Sequence, residues 1–288
     1  MDRKKKYGLV VEGGGMKCAY NAAILDRFLD RGITFDYCIG ASAGAGNLVS
    51  YLAGQRGRNL RFFTEYIHDP EYFGFKSWRK TGDLFGIQYI YGDLTRSDGK
   101  DPLDYQAFME NPAEYEAVVT NAITAKAEYF GKDAVKQNDY RLLMASSAIP
   151  VVCHPVELGG VPYYDGGLAD GIPVGRALKK GCDKLVVILS KNRDYVRKPQ
   201  KMRPLYHIAC RRYPNIVDMI ARRHTEYNEN MQEVFRLERE GKAFVMAPSK
   251  PLHVGTYSMK EGSERELYDL GMKDFEAQEK KLQSFMAD

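Results

Sequence analysis

Short apolar runs closed by glycine, separated by stretches of helical spacing, organise the first part of the chain. Tyr7 to Val11 is a brief apolar run that ends at Glu12-Gly13-Gly14-Gly15, the pattern of a buried strand entering a tight loop. From Cys18 to Arg31, residues Ala19, Ala22, Ala23, Leu25, Phe28 and Leu29 recur at helical spacing, and Gly32 supplies a stop. Phe35 to Ser42 reads as a second strand, and Ala43 to Ala53 as a helix of small residues. Strand, helix, strand, helix predicts an α/β fold with a parallel central sheet.

The pattern changes between His68 and Asp104, a stretch dense in glycine, aspartate and aromatics without clear periodicity. It reads as an insertion or lid-like segment with short helices. Tyr115 to Phe130 predicts a strand pair, Tyr140 to Pro150 a helix, and Val151 to Asp165 more strand. A helix over Pro173–Lys180, with Pro173 in its first turn, precedes an apolar strand at Lys184–Ser190. One long charged helical region is expected over about Leu205–Glu240, then a strand at Ala243–Ser249 and a helix from Gly262 to Phe285. No internal repeat, low-complexity tract or linker interrupts the 288 residues, so residues 1–288 read as one domain.

Composition narrows the function class by exclusion. Hydrophobic residues at 44% and charged residues at 28% are ordinary for a globular chain, and a net charge of +4 does not imply nucleic acid. No apolar run reaches membrane-spanning length. The basic start is followed by too short an apolar run for a signal peptide, so the expected compartment is the cytoplasm; residue 2 is Asp, not the glycine that myristoylation needs. The five cysteines (18, 38, 153, 182, 210) are scattered without a CxxC pair, which argues against a disulfide framework or structural zinc. Cys38 and Cys182 lie beside apolar runs and read as small core residues.

Three stretches carry candidate chemistry. Gly40-Ala41-Ser42-Ala43-Gly44 fits GxSxG, a serine on a sharp strand-to-helix turn whose neighbours must lack bulk. A helix starting behind Ser42 would turn free N–H groups toward an anion. A His-based triad finds little support: His207 and His224 fall in the charged helical region, His154 lies between a helix and a strand, and His68 and His253 have no local signature. The loop Glu12 to Lys17 could form an oxyanion hole or a phosphate cradle. It lacks the Walker pattern, and Cys18 holds the third glycine position of a dinucleotide fingerprint. Asp165-Gly166-Gly167 follows a strand and by itself reads as a turn, since Asp-Gly is a common hairpin dipeptide.

Taken together in this order, spacing and strand context, GGGxK, GxSxG and DGG resemble the patatin-like phospholipase family, as does Ala145 to Glu157 shortly before the DGG. The resemblance covers about residues 7–190, a motif-bearing core, and leaves 191–288 as a helical, basic C-terminal part of the same domain. It implies a three-layer α/β fold with a central, mostly parallel sheet flanked by helices. It further implies a lipid acyl hydrolase without metal, nucleotide or other cofactor, in which Ser42 is the nucleophile and Asp165 takes its proton. Gly13, Gly14, Gly15 and Met16 would supply the oxyanion-hole N–H groups with Lys17 in support, Gly40 and Gly44 would form the elbow, and Gly166 and Gly167 would complete the DGG motif. One position departs from the family: Cys18 stands where glycine is usual.

Outside these motifs, Arg197 to Arg223 holds eight basic residues (197, 198, 201, 203, 211, 212, 222, 223) against Asp218. It reads either as a solvated basic face over an apolar stripe or as a surface that settles on anionic headgroups at the inner face of the membrane. Nucleic acid is not expected, because no recognition module accompanies the charges. The aromatics between Tyr66 and Tyr91 would either line an acyl-binding cleft or pack the insertion on the core. The expected partner is a fatty-acyl ester; the rival readings are a nucleotide-binding protein using Gly13 to Lys17 and a silent lipid-binding protein.

Overall fold

Successive side chains of a strand point to opposite faces, and here Leu9, Val10 and Val11 are all fully buried. Strand β1 (Tyr7–Val11) therefore needs cover on both sides. The computed structural model, which describes residues 4–251 and 262–288, provides that cover. Helix α1 (Ala19–Asp30) follows β1, then β2 (Tyr37–Ala41) and α2 (Ala43–Leu52). Short helices α3 (Arg58–Thr64), α4 (Phe75–Thr81) and α5 (Tyr105–Glu110) lead to β3 (Glu114–Asn121) and β4 (Ala127–Gly131). Then come α6 (Arg141–Ser147), β5 (Val156–Leu158), β6 (Val161–Asp165), α7 (Val174–Lys179) and β7 (Lys184–Ile188). The chain closes with α8 (Arg203–Ala209), α9 (Pro214–Arg239), β8 (Ala243–Met246) and α10 (Ser263–Ala287).

The strands form one sheet in the order β5-β6-β3-β2-β1-β7-β8, with β4 paired to β3. β1 pairs in parallel with β2 and β7, β2 with β3, and β7 with β8; the pairs involving β4, β5 and β6 are antiparallel. Leu9 and Val11 look toward Ile24, Phe28, Leu48 and Phe275 of α1, α2 and α10. Val10 and Ile39 look toward Ala177 of α7 and toward Met231 and Val234 of α9. The result is a three-layer α/β fold with a mostly parallel sheet. Its C-terminal third contributes a strand to the sheet and a helix to each face.

Two local expectations need correction. The charged region is two helices, because Cys210 to Tyr213 separate α8 from α9 and Pro214, which opens α9, has no N–H to carry a helix through. Pro173 sits at the cap of α7, one residue before the first turn. The insertion does form short helices, and its irregular stretch at Gln88–Asp93 winds as a π-turn. Cys38 and Cys182 are buried core residues, as are the other cysteines. His253 lies outside the described residues.

Helix α10 crosses α1 at Gly271, where an added Cβ would lie 2.7 Å from Ala23 Cβ and 2.8 Å from the Tyr20 carbonyl oxygen. A larger residue gains up to about 1 kcal/mol of helix propensity over glycine, but overpacking a close contact costs about 1–3 kcal/mol. The packing term decides the sign. Gly271→Val should lower unfolding stability in urea by about 1–3 kcal/mol; an unchanged midpoint would mean that the two helices do not dock at this residue.

Candidate active site

Ser42 sits where β2 ends and α2 begins, with φ 56° and ψ −134°. A non-glycine residue there carries about 1–3 kcal/mol of strain, which surrounding contacts must hold. Its N–H donates to Ser146 Oγ at 2.9 Å, and the Ser146 hydroxyl in turn donates to the Val118 carbonyl at 2.7 Å. Ser146 on α6 thus pins the turn to β3, a role the sequence did not disclose. Steric room comes from the glycines. A Cβ at Gly44 would stand 2.5 Å from the Val11 carbonyl oxygen, and one at Gly40 2.7 Å from the Ala45 nitrogen. Only hydrogen at both positions lets α2 leave the sheet this tightly.

The Gly13–Gly15 loop crosses directly beside this turn. A Cβ at Gly13 would be 2.8 Å from the Ala41 carbonyl oxygen and 2.9 Å from Ser42 Cβ. Among the described residues, the N–H groups of Gly13 and Gly14 find no backbone acceptor, so the loop presents donors next to the serine. Cys18 fits here without disturbing the helix. Its thiol is buried beside the Glu12 carbonyl at 3.5 Å, an acceptor it shares with the Asn21 amide at 2.9 Å.

Asp165 arrives from β6. Its N–H donates to the Ala148 carbonyl at 2.8 Å, and its own carbonyl accepts from Thr120 Oγ1 at 2.8 Å. Carboxylate Oδ1 accepts from the Gly167 N–H at 2.7 Å, which makes the DGG segment a capped turn and not a hairpin. Oδ2 is buried and makes no hydrogen bond of regular geometry. Burial pushes the Asp165 carboxyl up; the adjacent Ser42 hydroxyl, then the Arg223 charge and the Gly167 N–H, oppose that rise. Arg223 of α9 holds the same turn, donating to the Gly167 carbonyl at 2.6 and 3.0 Å.

Ser42, Asp165, Gly13, Gly14, Gly15 and Lys17 line one cavity of about 300 Å3. Met16 is buried and lines instead a neighbouring apolar pocket of about 50 Å3 with Phe62, Phe63, Tyr72, Phe85 and Tyr91. The aromatic segment is therefore divided. Tyr72, Phe85 and Tyr91 line that pocket, while Phe75 and Trp78 stack on each other in solvent. The basic segment is divided too: Arg197, Lys198 and Arg223 reach the polar cavity, whereas Ile216, Met219 and Ile220 are buried. No described histidine lines the cavity. His154 is exposed and pairs with Asp83 at 2.7 Å.

Beneath the loop, the buried Glu12 carboxylate binds Lys191 Nζ, accepts from the Ser190 N–H at 2.7 Å and accepts from Tyr227 OH at 2.8 Å. Lys191 and Tyr227 fall outside every motif, so sequence inspection had no means of finding this cluster. Burial lowers the pKa of both Lys191 and Lys17, with the Glu12 charge opposing. No group of three or more His, Cys, Asp or Glu side chains among the described residues is arranged to hold a metal.

Comparison with known proteins adds to the geometry. The family described as Patatin-like phospholipase matches residues 9–178, and a Domain of unknown function (DUF6363) matches residues 213–287, the span of α9, β8 and α10. The uncharacterized protein YjjU of Escherichia coli is 28% identical over 270 residues, covering 92% of this chain and 75% of its own. The crystal structure of VipD from Legionella pneumophila aligns over 95% of this chain and 67% of its own, with a TM-score of 0.45 and 14% identity.

The raised pKa of Asp165 has a consequence for stability. With the folded value above the unfolded one, the folded state holds the proton more tightly, so Asp165 costs no stability below its unfolded pKa. It costs increasingly as pH rises through the folded pKa. Asp165→Asn, which keeps the acceptor for the Gly167 N–H, should melt higher than the wild type at pH 7 and at the same temperature near pH 3. A lower melting temperature at pH 7 would contradict a strained, buried carboxylate.

Proposed function

The chain belongs to the patatin-like phospholipase family, and on that premise we propose that it is a serine acyl hydrolase cleaving carboxylic esters of lipids by a Ser42–Asp165 dyad. The observation that carries this reading is the convergence of Ser42, Asp165 and the glycine loop on one cavity. Ser42 Oγ attacks the ester carbonyl and its proton passes to Asp165. The negative oxygen of the tetrahedral intermediate is stabilised by the loop N–H groups and the N-terminal end of α2, with Lys17 adding positive charge. Collapse expels the alcohol, which takes the proton, and leaves acyl-Ser42. Water, deprotonated by Asp165, then releases the fatty acid and restores the serine.

An aspartate with an ordinary pKa is a weak base for a hydroxyl; burial of Asp165 moves it toward the working range. The apolar pocket behind Met16 and Ala43 matches the first carbons of an acyl chain in polarity, and the polar cavity suits the alcohol side. A nucleotide on the Gly13 to Lys17 loop has less support, since the loop lies against Ala41 and Ser42.

The likeness of the basic segment to a lipid-facing surface extends the proposal. No described helix is long and apolar enough to cross a membrane. Val196, Met202, Leu205 and Ile208 are nevertheless exposed, among Lys198, Lys201, Arg211 and Arg212. Such a mixed surface fits peripheral contact with anionic headgroups.

Two experiments test these readings. Ser42→Ala should abolish labelling by a fluorophosphonate and lower ester turnover by about 10³-fold or more. Asp165→Asn should lower turnover comparably, and the wild-type rate should fall with acidity as Asp165 takes up its proton. Unchanged labelling of Ser42→Ala would sink the nucleophile assignment. For the membrane contact, Ile208→Glu should weaken sedimentation with phosphatidylglycerol vesicles by roughly tenfold; equal binding would remove α8 from the contact.

A further inference from the structure

Resting on the hydrolase reading, we propose that the apolar pocket beside Ser42 measures the acyl chain. It admits acyl groups of about four to eight carbons and ends at the buried Arg58, which is thereby a specificity-determining residue. The acyl group removed is short, and the larger part of the substrate is its alcohol.

The first argument is size. Gly15 borders both the polar cavity and the apolar pocket, so a chain attached at Ser42 passes from one to the other there. From that point the pocket follows α2, which starts directly after Ser42 and lines one wall with Ala43, Gly46, Asn47 and Val49. Arg58 lines the pocket as well and donates to Ser50 Oγ at 2.8 Å. Ser50 stands two turns along α2 from Ala43, a rise of roughly 10 Å. An extended chain advances roughly 1.2 Å per bond, so that length spans about eight carbons. The volume of about 50 Å3, at roughly 10–15 Å3 for each enclosed water-sized group, holds about four. Length and volume together bracket a short chain.

The second argument is construction. Arg58 is buried, and each of its guanidinium nitrogens has an acceptor. Besides Ser50 it donates to Thr95 Oγ1 at 3.1 Å and to the Asp101 carbonyl at 2.8 and 3.3 Å. Its guanidinium covers the Phe62 ring at 4.6 Å. The neighbouring polar groups are tied in turn: Thr95 Oγ1 donates to the Ile90 carbonyl at 2.8 Å, and the Asn59 amide to the Asn47 carbonyl at 3.0 Å. A longer chain would have to part a buried cation from its acceptors, which costs more than the added methylene groups gain by burial. The side walls are packed as well. Tyr72 meets Phe85 edge-on at 5.9 Å, its hydroxyl lies 3.7 Å from Met16 Sδ, and a Cβ at Gly46 would stand 2.9 Å from the Tyr91 hydroxyl. The pocket is thus closed by a held charge at its end and by packed rings at its sides.

The test is kcat/KM for p-nitrophenyl esters from acetyl to dodecanoyl, each kept below its aggregation concentration. Wild type should rise from acetyl to about hexanoyl and fall by about tenfold or more at dodecanoyl. Arg58→Ala removes the end wall, while Arg61 still pairs with Asp101 at 2.6 Å; it should raise the dodecanoyl-to-hexanoyl ratio by about tenfold. Val49→Leu, which adds a methylene to the wall, should lower hexanoyl relative to butanoyl and keeps the proposal open to refutation where Arg58→Ala does not fold. A wild-type kcat/KM that climbs steadily to dodecanoyl would overturn the proposal, as would ratios unmoved by both variants. Should no ester be hydrolysed, the hydrolase reading fails, and calorimetry with hexanoate and laurate still decides the chain length: tighter binding of laurate sinks it.

Discussion

The Glu12 carboxylate is the constraint on which the rest of the site depends. It stands at the end of the central strand, buried, and joins three distant parts of the chain: the β1 loop, Ser190–Lys191 after β7, and Tyr227 on α9. Desolvating a carboxylate and an ammonium is expensive, and leaving either without its partner costs about 3–5 kcal/mol. The structure therefore keeps all three parts in register or none. Ser190 Oγ extends the linkage by donating to the Gly13 carbonyl at 2.9 Å, which sets the direction of the glycine loop. The course of the glycine loop beside Ser42 thus rests on this ion pair.

That orientation matters because the space between the two loops is already filled. Gly13 lies against Ala41 and Ser42, and Gly44 lies against the Val11 carbonyl, each at a distance that excludes a side chain. The strained backbone of Ser42 persists because Ser146 holds its N–H and α2 begins immediately behind it. Asp165 is fixed separately through Ala148, Thr120 and Gly167. Serine and aspartate thus meet as two anchored backbones with little freedom to search. Such anchoring is the preorganisation that the proposed proton transfer from Ser42 to Asp165 would require, and no described histidine lines the cavity.

The C-terminal third has a double part in this arrangement. Its apolar residues complete the fold, with β8 extending the sheet and α9 and α10 covering opposite faces. Its polar residues finish the cavity: Arg223 holds the DGG turn, Tyr227 holds Glu12, and Asn228 holds Arg197. The three lie on one helix, with Arg223 one turn before the adjacent Tyr227 and Asn228. Helical spacing lets α9 present Met231 and Val234 to the sheet while Arg223 and Tyr227 line the cavity.

Local pattern was enough for the sequence to determine the α/β alternation, the strand-loop-helix context of Gly13–Lys17 and of Ser42, and the family. Those features depend on neighbours along the chain: apolar period, glycine where the backbone must turn or pass closely, and motif order. The break between α8 and α9 was legible in principle at Pro214, but the continuous apolar and basic periodicity concealed it. The sequence also could not decide which basic residues are solvated and which wall the cavity, because Lys198 and Lys201 look alike in one dimension. Nor could it pair Glu12 with Lys191, Tyr227 with Glu12, or Ser146 with Ser42. Such pairs are separated by about a hundred residues or more and are brought together only by the order of strands in the sheet and the crossing of α9 over it. Burial decides their chemistry, and burial is a property of the packed chain.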